Sequence, residues 1–389
     1  MGWCPRKVDD QFVPCLICSS AGLNALENNT ADPNWQPPNI VLLVGGTRFG
    51  GLWPAAGLSS SSALVVASAI AVMHASGLQI DRLALADLCA RCERYIGIQG
   101  GGMDQAASLL GTEGCAILVE FTKPFVTVHP VPLPLNLVFV VAHSGVHARK
   151  AATSMYNQRV SECRIASKIL TKNSPRPNLV HDAHPLCLQD AQHAWGLPKP
   201  GLMLTKGNST LPSVVDRFLK PGALTRDDIA AILDDDEIDA CLVPSTANME
   251  KFHLLARAVH VYSEAERTMQ FYQLCRSFSI AGDTLDTPEL PRQLGDLMNE
   301  SHQSCDSMYD CSCPALNELT SVCRSGGALG SRLTGAGWGG STVSLIPKDK
   351  VADFIEHLRR GYYEKRDLEC DSLVFVSRPG PPAGIMRIS

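Results

Sequence analysis

Ala55-Ala56-Gly57-Leu58-Ser59-Ser60-Ser61-Ser62-Ala63-Leu64 is a small-residue turn that runs straight into an apolar segment ending near Met73. Successive small residues let backbone N–H groups converge without side-chain obstruction, and a helix starting there adds the positive end of its dipole. Such a stretch is suited to phosphate. Four consecutive hydroxyls add donors and an oxygen ligand for Mg²⁺, a cation that keeps most of its waters and takes few protein groups. No Walker lysine follows, which excludes a P-loop. The alternative is an N-capped helix after a loop, since serine is a favoured cap.

Three further stretches accompany it. They are Glu93-Arg94-Tyr95-Ile96-Gly97, then Gly100-Gly101-Gly102-Met103-Asp104-Gln105, and far downstream Leu333-Thr334-Gly335-Ala336-Gly337-Trp338-Gly339-Gly340. Glu93 falls off the apolar stripe of its helix and lies near the helix end, where a carboxylate opposes the dipole unless something positive faces it. A solvated surface glutamate is the competing reading. The three glycines before Asp104 leave room for a ligand at an entropic cost on ordering. Asp104 could accept a proton from, or orient, an attacking hydroxyl; its alternative role is an N-cap for the segment Gln105 to Leu110. The distant glycine turn reads as a hairpin, although a bare hairpin does not require so many glycines.

In this order the four stretches resemble the galactokinase branch of the GHMP small-molecule kinases. Arg159-Val160-Ser161-Glu162-Cys163, His260-Val261-Tyr262-Ser263-Glu264-Ala265 and Met308-Tyr309-Asp310-Cys311-Ser312-Cys313-Pro314 narrow the resemblance to the N-acetylgalactosamine kinases of that branch. The resemblance runs from about Ala55 onward. Galactokinases open with Gly-Arg-Val-Asn-Leu-Ile-Gly-Glu-His-x-Asp-Tyr, whose charged residues hold the sugar, and residues 1–54 contain no counterpart.

The resemblance implies an α+β, two-domain GHMP kinase fold: an N-terminal lobe like ribosomal protein S5 domain 2, incomplete at its start, and a ferredoxin-like C-terminal lobe. The expected division is an atypical segment over 1–54, an ATP-binding domain over 55–147, and a C-terminal domain over 148–389 with a Pro-rich connector at about 173–239. It implies ATP and Mg²⁺ as cofactors and transfer of phosphate to the anomeric hydroxyl of N-acetylgalactosamine or galactose. Gly57, Leu58, Ser59, Ser60, Ser61 and Ser62 would take the phosphates, Ser61 and Glu93 the metal, and Asp104 the catalytic role. Gly101, Gly102, Asp104 and Tyr156 would contact the sugar, and Gly335, Ala336, Gly337, Gly339 and Gly340 would form a cleft loop. Because the opening signature is missing, an impaired sugar- and ATP-binding protein or an inactive truncated product is the other reading.

Composition bounds the rest. The chain has 389 residues, 45% hydrophobic and 19% charged, which is globular composition and enough for two domains with separate cores. A net charge of −5 argues against nucleic acid or an anionic membrane as the main partner. Fifteen cysteines invite a metal or disulfide reading. The Cys89-x-x-Cys92 pair, however, sits in a helical pattern with no second pair suitably placed. The expectation is buried thiols in a reducing, cytoplasmic compartment, in a monomer without a membrane span.

Along the chain, Ile40 to Val44 reads as a short strand. Helices are expected from Ser61 to His74, from Asp81 as N-cap, and from Ala148 to Lys172. Others are expected from Met249 to Ser277, Pro291 to His302, Pro314 to Arg324 and Lys348 to Tyr363. Strands are expected at Ala116 to Phe121, Phe125 to Val131, Leu137 to Val141, Gly330 to Leu333, Thr342 to Ile346 and Leu373 to Ser377. Asp234-Asp235-Asp236-Glu237 reads as a solvated charge run. His143, after the third strand, receives no role.

Overall fold

The structure, a computed structural model, describes residues 57–95, 97, 99–121, 126–147, 154–179, 186–197, 210–281 and 289–385. The strand expected at 40–44, the whole of 1–54, Ala55, Ala56 and the expected helix start at 148–153 lie outside the described residues. The chain forms two compact units. One contains 59–130 and the tail from 379; the other contains 55–58 and 131–378.

In the first unit, α1 (Ser60–Ala75), α2 (Arg82–Tyr95) and α3 (Met103–Leu110) precede β1 (Cys115–Glu120) and β2 (Thr127–Pro132), which form a two-stranded sheet. Asp81 starts α2 as expected, its carboxylate accepting from Leu83 N–H and Ala84 N–H. The inward sides of the helices bury Val65, Val66, Leu85, Ala86, Cys89, Cys92 and Leu109 in one cluster. Burial, then Cys92 and Glu93, push the Cys89 thiol up to about 12. It stays protonated, and the C-x-x-C pair is core, not a metal site. The tail returns to this unit: Gly114 N–H donates to Pro379 O, Ala383 N–H donates to Ser108 O, and Arg82 donates to Leu109 O and Ala383 O.

The second unit is built on an antiparallel sheet of order β4-β5-β3-β6, from β3 (Leu137–His143), β4 (Gly330–Leu333), β5 (Ser341–Pro347) and β6 (Val374–Ser377). β3 lies within the span 55–147 expected for the ATP-binding domain, yet it pairs along its length with β5, from Leu137↔Pro347 to His143↔Ser341. The cause is its core face: Val140 and Ala142 pack with Ile346, Phe354, Leu358, Tyr362 and Tyr363. The single helix expected from Lys348 to Tyr363 is three pieces. A tight turn at Lys348–Lys350 leads into an α-helix at Val351–Leu358, followed by a wider turn at Arg359–Tyr363.

Besides a single turn at Cys370–Leu373, the remaining α-helices are α4 (Ser154–Lys172), α5 (Leu188–Ala194), α6 (Thr210–Phe218), α7 (Arg226–Ala230), α8 (Asp235–Asp239), α9 (Leu254–Ala281), α10 (Glu289–Ser307) and α11 (Pro314–Ser325). The stretch at 173–239, expected as a connector or variable insertion with short helices, forms short helices where it is described. It supplies Leu188, Ala191, Val215, Leu219, Ile229, Leu233 and Ile238 to a core shared with Ile165, Ile169 and Phe252. The acidic run is exposed at Asp234, Asp235 and Asp236, as expected for a solvated charge run, and it also caps α8: Asp234 accepts from Glu237 N–H, and Arg226 pairs with Asp235 and with Asp239 beyond the run. No described helix is long and apolar enough to cross a membrane.

Candidate active site

The start of α1 is held open. Ser59 stands at its N-cap in a left-handed conformation (φ 54°, ψ 42°), and its side chain makes no capping bond. Its carbonyl is used normally, accepting from Ala63 N–H at 3.0 Å. The capping role for this serine is therefore set aside. The first-turn N–H groups lack the side-chain oxygen that ordinarily satisfies one of them. A left-handed non-glycine residue costs on the order of 1–3 kcal/mol and tends to occur at functional sites.

One residue pairing differs from expectation. Ser62, not Ser61, meets Glu93: its Oγ donates to Oε2 at 2.7 Å. The helix dictates this, because Ser62 shares the buried face of α1 with Val65 and Val66, while Ser61 is turned away and only half-buried. Gln105 closes the group, its Nε2 donating to Ser62 Oγ at 3.2 Å and also to Glu93 Oε2. Ser62, Glu93 and Gln105 are all buried, and Glu93 is only 7% exposed, so the solvated-surface reading of Glu93 fails. Its two donors are neutral, both act on one oxygen, and no cation among the described residues pairs with it.

Gly102 begins α3 at φ +91°, where a Cβ would come within 3.0 Å of Ala90 Cβ. Only glycine suits both the backbone angle and the close approach of α2. Gly102 therefore occupies the N-cap, and Asp104 lies inside the first turn; the N-cap reading of Asp104 is corrected. Asp104 is half-exposed and its carboxylate takes no hydrogen bond among the described residues. Gln105, the next residue round the turn, is the one that points inward. Sequence reading missed it beside the more conspicuous aspartate.

In the second unit the glycine turn joins β4 to β5, so it is the expected hairpin with added constraints. Trp338 N–H donates to Cys311 O at 2.7 Å, Gly340 N–H to Val146 O at 2.7 Å, and Thr334 N–H to Ser341 O at 2.9 Å. Gly57 lies against this turn. A Cβ on Gly57 would come within 3.2 Å of Gly340 Cα and Ser341 N, and one on Gly335 would strike Gly57 O. The extra glycines are thus explained by backbone meeting backbone. Ala336 at the tip is half-buried.

An ionic group with Arg159, Glu162 and Arg257 buried and Asp310 at its exposed edge fixes the segment that holds Trp338. Arg159 Nε donates to Tyr309 O at 2.7 Å, and its Nη2 to Asp310 O at 3.0 Å and Asp310 Oδ2 at 2.6 Å. Its guanidinium also lies 5.7 Å from the Trp338 ring centre. Glu162 accepts from Arg257 Nε and from His253 N–H, each at 2.8 Å. Arg159, Glu162, Tyr309 and Asp310 carried the family resemblance in the sequence without a role of their own, and Arg257 and His253 were not singled out. Tyr156 lies half-buried on α4, one turn before Arg159.

Comparison with known proteins agrees with this architecture. The profile for the GHMP kinases N terminal domain matches residues 49–112 and that for the GHMP kinases C terminal region matches 288–364, which gives the two-domain α+β class. A galactokinase of Dictyostelium discoideum is 35% identical over 349 residues, covering 83% of this chain and 66% of its own. That of Saccharomyces cerevisiae is 32% identical over 365 residues, covering 83% and 67%. The chain belongs to the galactokinase family of GHMP kinases. It spans about two thirds of the length of these relatives. A crystal structure of Lactococcus lactis galactokinase complexed with galactose shares the fold at a TM-score of 0.59 and 23% identity, over 85% of this chain and 68% of that one.

Proposed function

We propose that this chain is an ATP-dependent kinase that phosphorylates galactose, N-acetylgalactosamine or both at the anomeric hydroxyl. Glu93 carries the reading. A buried carboxylate without a cationic partner is costly by several kcal/mol, and its Oε1 has no hydrogen-bond donor among the described residues. Few, hard oxygen ligands beside an uncapped helix start suit Mg²⁺ and phosphate. Glu93 and Ser62 would hold the metal; Ser61, the hydroxyl first expected there, is left to a phosphate oxygen. Bound Mg²⁺ would supply neutralisation of charge on the β- and γ-phosphates.

The protein groups do the remainder. N–H groups from Ser60 to Ser62 donate to phosphate oxygens, and Gln105 holds Glu93 in one orientation. Asp104, whose carboxylate takes no hydrogen bond among the described residues, accepts the proton of the sugar hydroxyl or orients that hydroxyl for in-line attack. Gly101 and Gly102 present no side chain to the sugar. In the second unit, Tyr156 is the proposed aromatic contact for the sugar, and Gly335, Ala336, Gly337, Gly339 and Gly340 are the proposed loop that helps shape the nucleotide and substrate site. The described cysteines are free thiols, which suits a reducing cytoplasm, and we read the chain as a monomer.

The test is transfer of label from γ-labelled ATP with each sugar in turn, using the full chain. Labelled sugar 1-phosphate with at least one sugar is expected. ATP binding without transfer to either would replace the kinase with a binding protein.

A further inference from the structure

His143 ends β3 opposite Ser341, the first residue after the glycine turn. The chain just after His143 is tied to that turn. Ser144 N–H donates to Gly340 O at 2.8 Å and Gly340 N–H donates to Val146 O at 2.7 Å. Gly57 lies against the same Gly340 and Ser341. The backbone of His143 is fixed further by Tyr363, whose hydroxyl donates to its carbonyl at 2.8 Å. The residue thus occupies a rigid position within the second unit, where the end of β3, the glycine turn and Gly57 converge.

The two ring nitrogens are unequal. Gly145 N–H donates to Nδ1 at 3.0 Å, so Nδ1 carries the lone pair. Burial, then the neighbouring His147 ring at 4.9 Å between centres, lower the pKa to about 4. The ring is neutral near pH 7 and its single proton sits on Nε2. His143 is only 5% exposed, and Nε2 finds no acceptor among the described residues. Buried donors are rarely orphaned, and an exception calls for a partner outside the fold, such as water or a ligand. An anion, rich in acceptor oxygens, is the ligand class that would satisfy a neutral N–H donor.

We propose that His143 Nε2–H is a binding donor for an anionic oxygen of a nucleotide's phosphate chain. The proposal rests on the nucleotide-binding reading above and adds to it a residue outside the serine and glycine motifs. A neutral N–H donor strengthens its bond when the acceptor is charged, and strand and turn hold this one in place before the ligand arrives.

Two substitutions separate the nitrogens. His143→Asn keeps an oxygen near Nδ1 for Gly145 N–H and puts nothing at Nε2. His143→Gln places an amide N–H near Nε2 and gives up the acceptor for Gly145. Calorimetry of the full chain with Mg²⁺ and ADP should show about tenfold or weaker binding for His143→Asn. His143→Gln should recover most of the affinity. Without ligand, His143→Asn should still unfold cooperatively, because it keeps an acceptor for Gly145 N–H. In the unsubstituted chain the Nε2 resonance of His143 should shift on saturation with ADP. An unmoved resonance, or equal ADP affinity for His143→Asn, overturns the proposal and leaves the histidine a support for the Gly145 turn. Failure of the unsubstituted chain to bind ADP overturns the nucleotide reading and this proposal with it.

Discussion

Ser62 and Glu93 are thirty-one residues apart in sequence and joined by a 2.7 Å hydrogen bond in the interior of the first unit. The bond fixes which serine of the Ser59–Ser62 run belongs to the carboxylate. It also leaves Glu93 with no cation paired to it among the described residues.

Replacing Glu93 with Gln keeps the shape and an acceptor for Ser62 and Gln105 while removing the charge. The expected result is loss of the Mg²⁺-dependent part of nucleotide binding with an unfolding midpoint equal to or above that of the parent, since a buried unpaired carboxylate is relieved. Nucleotide titrations with and without Mg²⁺, alongside thermal melts, check this. An identical Mg²⁺ dependence would remove Glu93 from the metal site.

Asp104 is half-exposed and makes no bond within the described fold, so its removal costs little stability. Asp104→Asn should unfold within about 0.5 kcal/mol of the parent. It should bind ATP as before and turn over about 10²- to 10⁴-fold more slowly. Rate and binding are measured on the same preparation. Unchanged turnover would show that the carboxylate takes no part in transfer.

The contrast between these acidic residues and their neighbours shows what a sequence carries. Glu93 stood out because it broke the apolar stripe of α2, and Asp104 because three glycines precede it. Gln105 did not stand out, since its value depends on which side of the first turn of α3 faces α1. β3 was legible as a strand from its β-branched residues, but its partners β5 and β6 lie some two hundred residues away, and pairing at that distance leaves no local mark. The proline-punctuated stretch hid a core because its buried Leu188, Val215, Ile229 and Ile238 sit in helices of five to nine residues, too short for a 3.6-residue period to register. The tail after Pro379 is held partly by backbone bonds, which have no side-chain signature.

Arg159 offers a test of the segment behind the glycine turn. Its fork serves Tyr309 O, Asp310 O and the Asp310 carboxylate at once, a set of angles that a lysine ammonium cannot match. Arg159→Lys should lower the unfolding free energy by about 1.5–3 kcal/mol, the range for lost hydrogen bonds to a charged group. It should also raise the KM for ATP more than it lowers kcat, as Trp338 and the turn lose their support. Urea unfolding and steady-state kinetics check both, and wild-type stability would show that the fork is dispensable.

His260 and His302 predict how stability responds to acid. His260 is buried against Tyr309, with ring centres 4.4 Å apart, and its Nδ1 is 2.9 Å from Ser304 Oγ. His302 accepts from Leu333 N–H and meets Thr320 Oγ1 at 3.0 Å. Burial is the main cause that lowers each to about 4. Arg257, Arg267 and Arg332 press the same way on His260 against Glu264, and Arg324 and Arg332 do so on His302 against Asp306. Both folded-state values lie below the ordinary 6.5, so between pH 6.5 and 4 the unfolded chain takes up protons that the folded chain refuses. Stability is therefore full above pH 6.5 and falls as pH drops through that window, by on the order of 2–3 kcal/mol for each ring. Urea unfolding at a series of pH values should show this slope, and His260→Gln should flatten it. A pH-independent unfolding free energy across the window would mean that these rings are protonated as easily in the fold as in water.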